Sequence, residues 1–207
     1  MKKIVSIFSI LTFAFFISPG QSKKDSLFVF VGKKIEVTEF KPKLDSNEIS
    51  FNSSFTAKYQ ILQNVYGDYK KDTIEFVAYD HYGIPAFSKY EYVLLFVSVY
   101  HGKLYHEKYQ YFDVYKTKNG RWASGYQVGD YEHDLNKNTT VKPELIDFDH
   151  EVSYSVKGKG DKEIKMRYPS PYYKIENDRA IVVWGNYVEQ LFELKKGGIL
   201  KARGIFN

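Results

Sequence analysis

Asp147, Asp149 and His150 stand within the tetrapeptide "DFDH" and supply oxygen and nitrogen donors of the kind a divalent metal ion takes. In an extended chain the two aspartates point to one side, and a bend brings the histidine beside them. The competing reading of the same residues is a solvated acidic loop leading into Glu151. Asp130, Glu132, His133 and Asp134 form a second cluster, in a polar stretch without the i, i+4 spacing that one helix face would need. His101 and His106 flank a turn at a separation that puts them on opposite pleat faces. Asp80-His81 has no hydroxyl nucleophile beside it, and Ser98 lies between Val97 and Val99 rather than in a G-x-S-x-G elbow. "KGKGDK" (157 to 162) lacks the spacing of a phosphate-binding loop and reads as a hairpin turn. The chain has no cysteine, which excludes thiol catalysis and thiolate metal sites. Nothing here specifies an enzyme, and no cofactor is called for.

Aromatic residues make the other candidate. "YEYVLLFVSVYHGKLYHEKYQYFDVY" (90 to 115) holds nine aromatics, seven of them tyrosines. As an alternating strand it places Tyr105, Tyr109, Tyr111 and Tyr115 on one face, with Glu107 and Asp113 among them. Such a face is either a stacking platform for a ligand or the half-wet wall of a sheet, since tyrosine suits both. Trp122, beside the Asn119-Gly120 turn, either caps a core or offers its ring to a sugar or peptide.

The elements that position these residues are mostly strands. Period-two alternation and β-branched or aromatic enrichment dominate residues 27 to 124. "LFVFVGKKIEVTE" (27 to 39) reads as a long strand bent or bulged at Gly32. A polar loop (41 to 50), then "FTAKYQILQNVYG" (55 to 67) and "DTIEFVAYD" (72 to 80), continue the pattern. "YVLLFVSVY" (92 to 100) is apolar on both faces and must be covered on both. It joins the tyrosine strand at His101-Gly102-Lys103, and Asn119-Gly120 predicts a further hairpin with a type I′ turn.

Beyond residue 124 the pattern changes to a long polar connection. Shorter predicted strands follow at "EVSYSVKG", "KEIKMRY" and "RAIVVWG". "NYVEQLFELKKGG" predicts one helix near 187 to 196, capped by Asn186 and stopped by Gly197. Val188, Leu191, Phe192 and the stem of Lys195 share its apolar face. "ILKARGIF" then closes the chain as a strand or extended tail. The fold class is therefore mainly β: a small OB-like barrel over 21 to 124, and a smaller α+β C-terminal extension over 125 to 207. The helix either plugs the barrel or covers the outer face of the two-sided strand.

Residues 27 to 115 resemble a netrin-like domain, the OB-fold module of tissue inhibitors of metalloproteinases. "SLFVFVGKKIEV" resembles that family's first barrel strand, and "FTAKYQILQNVYGDYKKDTIEF" its second and third. The 90-to-115 stretch resembles its fourth strand, hairpin and fifth strand. The resemblance implies a five-stranded barrel and raises the prospect of a secreted-protease inhibitor. The family grips zinc through an N-terminal cysteine, however, and this chain has none to carry that role.

The opening residues read as an export signal over 1 to 20. Lys2 and Lys3 precede an apolar run from Ile4 to Ile17, and Ser18, Pro19 and Gly20 prepare cleavage near Gln21. With no lipobox cysteine, the expected location is secreted or periplasmic, with no stable membrane anchor after cleavage. Removing the two lysines lowers the formal charge from +5 to +3, and basic residues are scattered among acids. Nucleic acid is therefore not an expected partner. The function expected is an exported, non-catalytic protein that binds a protein or oligosaccharide through barrel loops and a tyrosine face. The alternatives are a secreted metal-dependent hydrolase built on Asp147, Asp149 and His150, or a protease inhibitor.

Overall fold

The computed structural model describes residues 27–42 and 51–207. The predicted signal and most of the 41-to-50 loop lie outside them. Strands β1 (Leu27–Phe40), β2 (Ser53–Tyr66), β3 (Thr73–Asp80), β4 (Tyr92–Tyr100) and β5 (Lys103–Asp113) close into a barrel in the order β1-β2-β3-β5-β4. All neighbours are antiparallel except β3 and β5, which meet in parallel at Val77 and Tyr105. This is the small OB-like barrel expected for residues 21 to 124.

β1 borders both β2 and β4, so it must bend, and its register against β2 slips around Val29, Val31 and Lys34. Gly32 sits at one slip because a Cβ there would press against the rings of Phe30 and Tyr59 at 3.0–3.1 Å. The pleat sorts the strand: Phe30 enters the barrel interior with Tyr59, Phe76, Phe87, Val93, Leu95 and Val97. Leu27, Val29, Val31, Leu94 and Phe96 face outward, and they are equally buried.

The C-terminal region covers that outer wall. β6 (Tyr115–Lys116), β7 (Trp122–Gly125) and β8 (Glu144–Leu145) belong to one small sheet. β9 (Ser153–Ser155), β10 (Tyr173–Glu176) and β11 (Arg179–Val182) form another, and β12 (Trp184–Tyr187) returns to sit between β7 and β8. Between them run the short helices α1 (Val128–Tyr131) and α2 (Asp161–Arg167), and α3 (Val188–Lys195) follows β12. Val188, Leu191 and Phe192 of α3 pack on the outer residues of β1 and β4, so α3 covers the barrel wall rather than plugging its end. Burying a Leu- or Phe-sized side chain contributes about 2 kcal/mol.

Several expectations are corrected. The helix is capped at Tyr187, not Asn186, and Gln190 Oε1 accepts from the Tyr187 backbone N–H at 2.9 Å. Asn186 is committed elsewhere: it donates to the Lys142 carbonyl at 2.9 Å and accepts from the Tyr131 hydroxyl at 2.8 Å. Gly197 does not end the helix, which runs into a π-turn over Lys196–Leu200, kinked at Gly198 where Asn136 occupies the space of a Cβ. The tail then folds back as a helical turn, and Phe206 packs on Tyr66 and Phe192.

"KEIKMRY" forms α2, not a strand. Glu163 pairs with Arg167 four residues on along the helix and with Lys159 four residues back, just before it, and "KGKGDK" leads into that helix. The type I′ geometry belongs to His101-Gly102, both with positive φ. At Asn119-Gly120 only the glycine is left-handed, and a Gly120 N–H to Thr117 carbonyl bond of 2.8 Å closes a turn one residue longer.

Candidate functional site

The tyrosine strand does not keep one face. Between His106, opposite Val97, and Tyr111, opposite Leu95, β5 carries three residues more than β4 can match. An odd surplus reverses the pleat phase. Tyr109 takes a positive φ of 67° at this bulge and is 44 % exposed. Arg203 holds the bulge from outside, donating to Glu107 at 2.7 Å and to the Lys108 carbonyl at 2.8 Å. Inside, His106 Nε2 donates to the Gln110 carbonyl at 2.9 Å. The four tyrosines are thereby dispersed. Tyr105 stacks on Tyr79 on the outer wall at 6.2 Å. Tyr111 turns inward against Phe87 and Tyr90.

Past the bulge, β5 ends at Asp113, whose side chain is 6 % exposed. Its Oδ2 accepts from the Tyr115 hydroxyl at 2.9 Å and from the Tyr154 hydroxyl, on β9, at 2.8 Å. Its Oδ1 accepts no hydrogen bond among the described residues. No Lys, Arg or His nitrogen there approaches it as an ion-pair partner. One carboxylate therefore ties the barrel to the C-terminal sheet with no cationic partner among the described residues.

Asp113 lines a cleft of about 700 Å³ where the barrel meets the C-terminal region. Tyr109, Tyr111, Tyr154, Tyr168 and Tyr173 contribute its walls, with α1 along one side. Tyr154 and Tyr168 stack at 5.8 Å, and Tyr173 meets Tyr168 edge-on at 5.1 Å. The charged lining consists of Asp113, Asp130 and Glu132 against Arg167 and Lys195. Lys195, 6 % exposed, is bound to Asp130 and lies over the Phe112 ring at 4.8 Å. Arg167 pairs with Glu163 at 3.2 Å.

Burial first, and the Asp113 charge second, push the Tyr90 phenol up to about 12 and raise those of Tyr111, Tyr115, Tyr154 and Tyr173. These hydroxyls are donors at neutral pH, which suits Tyr115 and Tyr154 to hold an ionised carboxylate. The arrangement is an aromatic-walled receptacle with one buried anionic anchor.

Tyr115 and Trp122 fall instead on a separate groove of about 530 Å³, together with Asp149 and His150. Trp122 is 5 % exposed, between Tyr92 at 5.0 Å and the Lys116 ammonium at 4.3 Å, so its ring caps a core more than it presents a surface. The metal expectation is not assembled. Phe148 turns into a hydrophobic cluster of the C-terminal region, with Ile146, Val152 and Tyr173, and sends Asp147 and Asp149 to solvent, as the alternation requires. There Asp147 pairs with Lys118 at 2.8 Å, and His150 has only Asp149 at 3.5 Å. Among the described residues no group of three His, Asp or Glu side chains is placed to hold a metal ion. Three members of the second acidic cluster are also committed: Asp130 to Lys195, Asp134 to Lys137, and His133 Nδ1, which accepts from the Leu135 N–H.

Sequence reasoning placed Asp113 on the tyrosine face without a role, and missed Tyr90, Tyr154, Tyr168 and Tyr173 as cleft residues. Their signal was the recurrence of tyrosine through both halves of a chain that holds 19 of them. Comparison with protein-family models, with curated proteins and with solved structures finds no match.

Proposed function

We propose that this protein is an exported, non-catalytic binding protein whose ligand enters the tyrosine-lined cleft between the barrel and the C-terminal sheets. The observation that carries this reading is Asp113, a buried carboxylate without a cationic partner among the described residues, on the wall of a cleft of about 700 Å³. Small-molecule sites are concave, largely aromatic or apolar, and fixed by a few convergent polar groups, and this cleft has that composition. Export rests on the leader-like residues 1 to 20. A hydrolase built on Asp147, Asp149 and His150 gains no support from the geometry described above.

Gly129 on α1 lines the cleft, has no positive φ, and would meet nothing within 4 Å on gaining a Cβ. Gly129→Trp therefore adds a large side chain at the cleft wall without strain at its Cβ, and is expected to obstruct the cleft. A thermal-shift screen over neutral saccharides, short peptides, organic cations and organic anions tests the reading. At least one class should raise the wild-type midpoint by several degrees in proportion to its occupancy, and Gly129→Trp should abolish the rise. No shift from any class, or a shift that Gly129→Trp leaves intact, contradicts it.

A further inference from the structure

The lining sets Asp113, Asp130 and Glu132 against Lys195 and Arg167, an excess of one negative charge; Lys195 is bound to Asp130 and Arg167 shares Glu163 with Lys159, so neither cation is paired with Asp113. An anionic ligand would meet that excess, and a neutral one would leave the buried charge of Asp113 without a counter-ion. The walls point the same way. Tyrosine rings present negative π faces, which attract a cation that has lost its water, and substituted ammonium groups lose water readily. Tyr115 and Tyr154 occupy only Oδ2 of Asp113, so Oδ1 is left to face a ligand charge.

We infer that the cleft takes an organic cation, a substituted ammonium, with Asp113 as counter-ion and the tyrosine rings as walls. This rests on the cleft being a binding site at all. The Asp130–Lys195 pair then keeps the buried Lys195 ammonium from competing for Asp113.

Titration calorimetry with choline, and with 3,3-dimethylbutan-1-ol, its uncharged isostere, tests the charge directly. Wild-type protein should bind choline at least about tenfold more tightly than the alcohol, the ratio that 1.4 kcal/mol supplies. Asp113→Asn keeps an acceptor for both tyrosine hydroxyls and should bring the two probes within about twofold of each other. Should that variant not fold, Tyr168→Leu removes one ring without touching the Asp113 hydrogen bonds, and it should weaken choline several-fold.

Equal binding of the two probes, or a saccharide that binds the cleft where choline does not, overturns the cation while leaving the cleft as a binding site. Choline that binds Gly129→Trp as well as it binds wild type lies elsewhere and overturns the assignment. If no ligand class binds the wild-type cleft, both readings fall together.

Discussion

The hydroxyl of Tyr59 lies inside the barrel with no hydrogen-bond partner among the described residues. A buried polar atom left in that state costs about 1–3 kcal/mol, and deleting it removes the cost while the ring keeps its packing. Tyr59→Phe should therefore raise stability by about 1 kcal/mol, read as a higher urea midpoint at unchanged slope; a lower midpoint would mean that the hydroxyl has a partner. His106 carries the opposite kind of burden. Its ring packs on Phe87 at 4.6 Å and on Phe76, and burial lowers its pKa from 6.5 to about 4. The unfolded chain then takes up the proton first. Stability is full above about pH 6.5, falls by about 3 kcal/mol as the pH drops, and levels off below about pH 4. His106→Gln keeps a donor for the Gln110 carbonyl and should flatten that slope, which urea melts at pH 7 and pH 4.5 would show. Single residues were legible where their neighbours in sequence decide their fate. The buried stem of Lys195 follows from its place on the α3 face, whereas its partner Asp130 lies 65 positions away and could not be read.

Elements divide along the same line. The two-sided strand β4 announced itself, because apolar residues on both faces leave no surface for water, and the cover it demanded is α3. Leu191→Ala should cost about 2–5 kcal/mol, the range for emptying a fully buried leucine site, measured as a loss of urea stability. A loss below 1 kcal/mol would mean that α3 only rests on the barrel. The bulge in β5 was not legible. Alternation was read straight through 105 to 115, and only the pairing with β4 shows that three extra residues reverse its phase. Nothing in the local composition marks Tyr109 as left-handed, since that φ is imposed by the bonds of Arg203, His106 and Gln110 around it. α2 was misread for a related reason: in so short a segment "KEIKMRY" alternates as well as it coils, and the four-residue charge spacing decides for the helix.

At the scale of the molecule, three hydrophobic clusters share the work. One fills the barrel, one lies between the barrel wall and α3, and one fills the C-terminal region. The middle cluster takes residues from both halves of the chain, and Asp113 joins them again through Tyr154. Barrel and extension should accordingly unfold together, with far-ultraviolet circular dichroism and tryptophan fluorescence reporting one coincident urea transition. Two separated transitions would show that the halves fold apart. The cleft exists only because of that union, so its tyrosines come from both halves of the chain and do not share the single strand face that alternation marks out. The most direct test of the account is a proton–nitrogen correlation NMR titration of the folded protein with choline. Amides of residues 109 to 113, 126 to 132 and 166 to 168 should move together and saturably. Movement confined to Tyr79, Tyr100 and Tyr105 on the outer wall, or no movement at any site, would contradict it.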